Sequence, residues 1–385
     1  MILERLRLYN FRCYEETEIE PDSRFNVVIG LNGQGKTSIL EAIGLVAFLR
    51  SFRGAKNGEM VRLGQTEGLV SAMVRNGDLR AQHSVKLWPT RKQATINGKS
   101  CRYLSEYVGK MSAVSFSPTD LEIIRGSPEN RRLWIDKLCQ IFDPTHADIV
   151  ARYQKILEQR NRLLRSLSEG GVKRPPADLE IWTDELINWG ARIIHNRIHS
   201  VDKSVDTISK YYNEISRENT RINVRYLSEN FDEVTCGQAP LISLELIAQL
   251  LRKRFESSQQ KEMILGTTAV GPHRDDIEIT MGGNLVRAFG SQGEVRSLVL
   301  ALRLTEVEVY RTFQKLNPIL LIDDFSSELD ARRRKFLLDY LLLSESQVFL
   351  STTEELTIGK VFVVKDGKIF APELNENGHV TDRCQ

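Results

Sequence analysis

The stretch GLNGQGKTSILEAI, residues 30–43, decides how the rest of the chain is read. Gly30-Leu31-Asn32-Gly33-Gln34-Gly35-Lys36-Thr37 satisfies the pattern G-x-x-x-x-G-K-[ST] in full, and Ser38 follows it. Glycines let backbone N–H groups curl around a β-phosphate, Lys36 can reach the β- and γ-phosphates, and the Thr37 hydroxyl can ligate a divalent cation. The flanks agree with that reading. Phe25-Asn26-Val27-Val28-Ile29 reads as a buried strand, and Ile39, Leu40, Ile43 and Ala47 fall at helical spacing between Lys36 and Phe48. A strand, a glycine-rich turn and a helix with its positive end at the turn make an anion site. A plain glycine-rich turn is the bland alternative, and it leaves the full match and both flanks to chance.

A phosphate loop needs a carboxylate at the end of a neighbouring buried strand to hold the metal. Ile319-Leu320-Leu321-Ile322-Asp323-Asp324 supplies four apolar residues followed by two acids. Asp323 is the metal-side candidate. Asp324 stands where many related ATPases place a glutamate that orients water, but its side chain is one methylene shorter, so slow hydrolysis is expected. Further on, Phe289-Gly290-Ser291-Gln292-Gly293-Glu294 precedes a helical pattern with Val295, Leu298, Leu302 and Val309 on one face. Ser291, Gln292 and Gly293 can form a second phosphate corner, although a simple capped helix start reads equally well from them. Two corners for one nucleotide make sense if the second closes on the nucleotide of a partner copy.

Around these motifs the texture of the chain changes twice. Leu6 and Leu8 alternate with Arg5, Arg7 and Tyr9 as in a half-buried strand, and Asn76-Gly77 and Asn97-Gly98 are hairpin signals within an antiparallel meander expected between about residues 67 and 110. Long helical patterns follow from Asp120, including 147–167 and 179–215, with a loop expected at 170–176. Strand patterns return at 221–227 and 276–280, and PILLID, QVFLSTT and KVFVVKDGKIF close the chain in alternating α/β style. The expected fold class is α/β, an ATPase head with an antiparallel β subdomain and a compact helical second domain. The expected division is 1–115 and 259–385 for the ATPase parts and 116–258 for a mainly helical insertion.

Composition sets outer limits only. The 385 residues carry a formal net charge of +2, which neither demands nor excludes nucleic acid. The five cysteines are scattered without a C-x-x-C pair, so neither a disulfide framework nor a zinc site is indicated. No run of about 18 apolar residues occurs, and the first residues lack a secretory pattern, so a cytoplasmic location without membrane is expected.

The order of phosphate loop, S-Q-G, apolar-Asp-Asp and Ser327-Glu328-Leu329-Asp330 resembles the ABC-type ATPase heads of SMC proteins. In that comparison Ser291 to Gly293 correspond to the signature motif, and Ser327 and Asp330 to the loop that crosses a dimer interface. The resemblance narrows with Leu8-Tyr9-Asn10-Phe11-Arg12, Phe116-Ser117-Pro118, Arg125-Gly126-Ser127-Pro128, Arg131-Arg132, Gln159-Arg160-Asn161 and Gly271-Pro272-His273-Arg274-Asp275-Asp276, all similar to the bacterial RecF family. It implies a weak, DNA-stimulated ATPase using ATP and Mg2+, which dimerises on ATP and binds double-stranded DNA and gap junctions. It further implies work with RecR and RecO to load RecA, and a place in replication, recombinational repair and the SOS response. The span from Thr37 to Ser291 is far too short for an SMC arm, and no sustained heptads occur.

Other residues keep two readings. Arg12 is either a nucleotide contact or a surface arginine at a strand end. His273 is either a contact near the nucleotide interface or a hydrogen-bonded structural histidine. Arg152, Lys155, Arg160, Arg162 and Arg165 make a basic helical segment, and Arg50, Arg53 and Lys56 a second cluster, each able to follow a DNA backbone or to be a solvated face. Without an aromatic-interleaved platform, duplex binding through phosphates is favoured. An SMC-like or transporter-type ATPase with another output is the alternative, and Ser351-Thr352-Thr353, where transporters carry a switch histidine, weighs against the transporter.

Overall fold

Strands that are apolar on both faces and strands that alternate settle in different sheets. The computed structural model describes residues 1–170, 176–228, 242–325, 329–356 and 358–370, together with the backbone of 373–374 and 380–381. Phe25–Ile29, Ala113–Phe116, Ile319–Ile322 and Val348–Thr352 are buried along their whole length. Side chains buried on both faces are the mark of a parallel sheet covered on both sides. They form one six-stranded sheet in the order 368–370, 360–365, 25–29, 348–352, 319–322, 113–116. All neighbours run parallel except the terminal hairpin of Lys360–Lys365 with Lys368–Phe370.

The alternating strand Ile2–Phe11 lies instead in an antiparallel sheet, ordered 14–19, 2–11, 68–76, 79–87, 92–96, 99–100. Asn97 and Gly98 both take positive φ, at 50° and 76°, as a two-residue hairpin turn of this hand requires. The first hairpin turns one residue later than its sequence signal, because Asn76 still pairs with Leu79. Leu6 and Val70 of this sheet share a core with Ile39 and Ile43 of the helix Lys36–Phe48 and with Leu321 and Phe349 of the parallel sheet. The phosphate-loop helix is therefore packed between two sheets, and truncating one of its fully buried leucines would cost about 2–5 kcal/mol.

Compactness divides the chain into Met1–Asp120 with Leu302–Gln385, and Leu121–Ala301. Residues 259–301, expected with the ATPase, lie in the second unit by this measure. That unit holds helices Pro128–Phe142, His146–Glu169, Ala177–Ser216 and Leu244–Leu265, and a three-stranded antiparallel sheet ordered 284–285, 276–281, 222–227. The expected loop after Gly170 falls mostly on residues 171–175, outside the described residues. Among the described residues no helix is long and apolar enough to cross a membrane.

Candidate nucleotide-binding site

The strand order brings the phosphate loop and the paired acids to one edge. Gly30 follows the strand Phe25–Ile29, Asp323 follows Ile319–Ile322, and Val348–Thr352 runs between them in parallel register, Ser351 opposite Val28 and Leu350 opposite Ile322. All three chain segments therefore end side by side at the carboxyl edge of the sheet, the position where α/β folds bind ligands.

Two glycines of the loop have specific steric reasons. A Cβ on Gly30 would stand 2.4 Å from the Val364 carbonyl oxygen. Gly35 has φ of 115°, and its Cβ would meet Cys13 Sγ at 2.7 Å and Tyr14 Oη at 2.9 Å. The Tyr14 hydroxyl donates to the Gly35 carbonyl at 3.1 Å, and the backbone N–H groups of Asp366 and Gly367 donate to the side-chain and backbone oxygens of Gln34. The loop is thus held from outside, leaving its inner face open.

Lys36 Nζ donates to the carbonyls of Gly30 at 2.7 Å and Leu31 at 3.0 Å. Burial lowers its pKa, while Asp324 and Asp323 act in the opposite direction. The Thr37 hydroxyl donates to Asp323 Oδ1 at 2.8 Å, and the Ser351 hydroxyl donates to the same oxygen at 2.8 Å. Ser351 Oγ also accepts the backbone N–H of Asp324 at 2.9 Å. Burial raises the Asp323 pKa above the ordinary carboxylate value, with the two hydroxyls opposing. Asp324 has φ of 53°, a left-handed conformation that a non-glycine residue holds only when its surroundings enforce it. The hydrogen bond from Asp324 N–H to Ser351 supplies part of that enforcement.

Arg12 joins this cleft through its own anchor. Its Nε and Nη2 donate to the two oxygens of the fully buried Glu41, both at 2.7 Å, and its Nη1 donates to the Glu59 carbonyl at 2.7 Å. The Ser51 hydroxyl donates to Glu41 as well. Arg12, Arg53, Arg62, Ser117 and Thr119 line the same cleft as Lys36 and Asp323. Arg53 therefore belongs to the rim of the phosphate loop, whereas Arg50 and Lys56, taken with it as a DNA cluster, are exposed beside it. Arg62 and Thr119 carried no sequence signal for this site, and Ser117 and Ser351, though within quoted segments, were not read as lining it, because only strand order and chain crossings bring them there.

The other candidates separate clearly. Ser291 and Glu294 form a reciprocal cap, the Ser291 N–H donating to Glu294 Oε2 at 2.6 Å and the Glu294 N–H to Ser291 Oγ at 3.2 Å, at the start of the helix Gln292–Val309. Ser291 and Gln292 are exposed. Asp330 caps the helix Ala331–Leu343 by accepting the Arg333 N–H at 2.9 Å, and Ser327 lies outside the described residues. Arg152, Lys155 and Arg162 are exposed, but Arg160 requires a correction. It is 1% exposed, donates to Glu262 at 2.6 Å, Thr268 at 2.8 Å and Thr183 at 3.0 Å, and is a core residue that presents no cation to a backbone.

His273 takes the structural reading. Its Nδ1 accepts the Tyr153 hydroxyl at 2.7 Å, its Nε2 faces the Thr268 carbonyl at 3.3 Å, and burial lowers its pKa to about 4. The rest of Gly271 to Asp276 is bound in the same way. Arg197 forks onto Asp136 and donates to the Pro272 carbonyl at 2.8 Å, Tyr226 and Ser228 donate to Asp275, and Arg131 forks onto Asp276.

Comparison with known proteins finds matches over nearly the whole chain. The family described as RecF/RecN/SMC N terminal domain matches residues 2–367. The DNA replication and repair protein RecF of Geotalea uraniireducens is 34% identical over 381 residues, covering 96% of this chain and 100% of the relative. That of Bacillus cereus is 32% identical over 358 residues, covering 92% of each. A solved structure of the recombination mediator protein RecF with ATP, in the RecFOR pathway, superimposes with a TM-score of 0.87 at 32% identity, covering 96% of this chain and 97% of the other. The Smc head domain of Pyrococcus furiosus, solved with an extended coiled coil, shares the fold at 17% identity, covering 96% of each chain with a TM-score of 0.53.

Proposed function

The chain belongs to the RecF family, and from that premise we propose that it is an ATP-gated DNA-binding protein of replication and recombinational repair. The observation that carries this reading is the convergence of Thr37 and Ser351 on Asp323 beside an intact phosphate loop. Oxygen donors from Thr37 and Asp323 already lie within hydrogen-bonding distance of each other, a donor set that suits Mg2+. Bound there, Mg2+ would neutralise phosphate charge. Lys36, now resting on loop carbonyls, is free to turn its ammonium to the β- and γ-phosphates, and the loop N–H groups and helix positive end add to it. Arg12 is held by Glu41 with its guanidinium on the cleft, as a further phosphate contact.

Asp324 would orient the attacking water. Its short side chain supports slow hydrolysis that resets the protein rather than driving movement. Ser291, Gln292 and Gly293 would close on the nucleotide of a second copy, with Ser327 and Asp330 at the same interface, so that ATP joins a homodimer on double-stranded DNA or a gap junction. Arg50, Lys56, Arg152, Lys155 and Arg162 remain the DNA-side cations of this reading, and the functional division stays at 1–115, 116–258 and 259–385. Cooperation with RecR and RecO in loading RecA, stimulation of hydrolysis by DNA, a part in the SOS response and a cytoplasmic location complete it.

The test is solution mass and duplex DNA binding measured in the same samples, with ATP and Mg2+, with ADP, and with Lys36→Met. A dimer that grips duplex only with ATP, and is lost in the variant, supports gating. Mass and binding indifferent to nucleotide would reduce the reading to an ATPase of unknown output.

A further inference from the structure

The second unit carries a cationic face that the sequence shows only in half. Helices His146–Glu169 and Ala177–Ser216 run antiparallel, with the Asn196 amide donating to His146 at 3.1 Å near one end and Arg160 to Thr183 at 3.0 Å further along. Between these two pins Trp189 of the longer helix meets Arg152 of the shorter one. The Arg152 guanidinium carbon is 4.9 Å from the indole centroid, and that of Arg192, one helical turn beyond Trp189, is 5.0 Å from it. The indole N–H is fixed by donation to Glu185 Oε2 at 3.1 Å. Two arginines from different helices are thus gathered on one ring.

The same face continues along the shorter helix. Arg152, Lys155 and Arg162 project within about 80° of one another on a 3.6-residue repeat, and ten residues of helix span about 15 Å. All three, and Arg192, are exposed, and among the described residues none of the four is paired with a carboxylate. Two other arginines of the unit do have carboxylate partners, Arg252 with Asp184 and Arg225 with Glu278. Glu158 is an exposed acid between Lys155 and Arg162, and among the described residues it makes no ion pair with them. Exposed cations that make no ion pair, two of them held in place by stacking on Trp189, can take an anion supplied from outside.

We propose that Arg152 and Arg192, gathered on Trp189, together with Lys155 and Arg162 further along the same helix face, form a surface that holds the phosphodiester backbone of duplex DNA. It rests on the gated DNA-binding reading above and gives that reading an address in the second unit. Phosphates fit better than bases because the indole ring already carries two cations, leaving guanidinium N–H groups rather than an open aromatic face for the partner. A stripe of about 15 Å crosses several phosphates of one strand, whose rise is about 3.4 Å per nucleotide.

The experiment uses the full chain with ATP and Mg2+ and compares a duplex, a single strand of equal length and poly-glutamate over a range of salt. Arg152→Ala with Arg192→Ala is expected to weaken duplex binding equally for unrelated sequences and to lower the salt slope by about 2 per bound subunit. Lys155→Ala with Arg162→Ala does the same from the other end of the stripe, which guards against a folding defect in either pair. Trp189→Leu weakens binding without changing the slope, and Trp189→Phe restores it. Wild-type affinity and slope in both charge variants would overturn the surface while leaving gating intact. Absence of duplex binding by the wild-type chain in every nucleotide state would remove the underlying reading as well. Loss confined to the single strand, or to poly-glutamate, would overturn it in favour of a base platform or an acidic protein partner.

Discussion

Two regions are equally distinctive in sequence, yet they are built for opposite ends. Around Gly271 to Asp276 every strong donor described above has a protein acceptor: Arg197 has Asp136 and a carbonyl, Arg131 has Asp276, and His273 uses both ring nitrogens. Around Gly30 to Thr37 the same residue types line an open cleft, and Lys36 rests on carbonyls that it can leave. A run of specific residues therefore marks a site only when its polar atoms have somewhere further to bond. Otherwise it marks a scaffold whose ion pairs fix one packing.

The sharpest way to break that contrast is Arg160→Ala. The change strands the buried Glu262 carboxylate and should cost about 3–5 kcal/mol of stability, read as a lowered denaturant midpoint. Reduced DNA binding at unchanged stability would show that Arg160 is a surface contact after all. Lys36→Met is expected to leave the midpoint near wild type and reduce ATP hydrolysis by about 10²–10³-fold, as loss of one charge-stabilising donor does. Unfolding of that variant would make the loop a scaffold too.

Ser351→Ala sharpens the contrast within the cleft, since the hydroxyl holds Asp323 and Asp324 without lining up with the phosphate loop itself. Hydrolysis should fall by about tenfold, equivalent to one hydrogen bond to a charged group, while nucleotide affinity measured without Mg2+ stays unchanged. An equal loss of Mg2+-free affinity would place Ser351 among the binding residues instead.

The smallest effect concerns acid. His273 is held down to about 4, so the unfolded chain binds the extra proton between about 4 and 6.5, and this histidine makes stability rise with pH across that window. Burial lifts Asp275 to about 6, against its hydrogen bonds from Tyr226 and Ser228 and the charges of Arg197 and Arg132. The folded state therefore binds the extra proton between about 4 and 6, and Asp275 makes stability fall as pH rises there. The two largely cancel. In Asp275→Asn only the histidine remains, and stability between pH 4 and 6 should climb more steeply than in wild type. Trp134, Trp182 and Trp189 report on this unit by fluorescence.

Much of the cleft was legible because its parts are local. Motif and apolar spacing placed the helix at Lys36–Phe48, where it is, and FNVVI and ILLI read as buried strands because side chains covered on both faces are mostly apolar, Asn26 being buried with its amide hydrogen-bonded. Ser351 was not legible as a partner of Asp323, because that depends on Val348–Thr352 lying between two strands far away in the chain. Glu41 was hidden for a related reason: a carboxylate on a helix reads as solvent-facing until Arg12, on a distant hairpin, neutralises it. Arg160 shows the converse. Its neighbours made it look like one more surface cation, and only Glu262, on another helix, draws it inside. Trp189 carried no signal at all, since its two arginines come from both sides of a helix pair.

The parallel sheet also sets a timetable for synthesis. Phe25–Ile29 leaves the ribosome early, but both of its neighbours, Val348–Thr352 and Lys360–Lys365, come from the far end of the chain. At about 5–20 residues per second, the first strand waits roughly 15 to 65 seconds for a partner. Leu121–Ala301 is continuous and faces no such delay. A nascent chain stalled before Val348 should therefore protect the helical segments from protease while leaving the phosphate loop open to cleavage, so the part of the molecule that holds nucleotide is the last to become native.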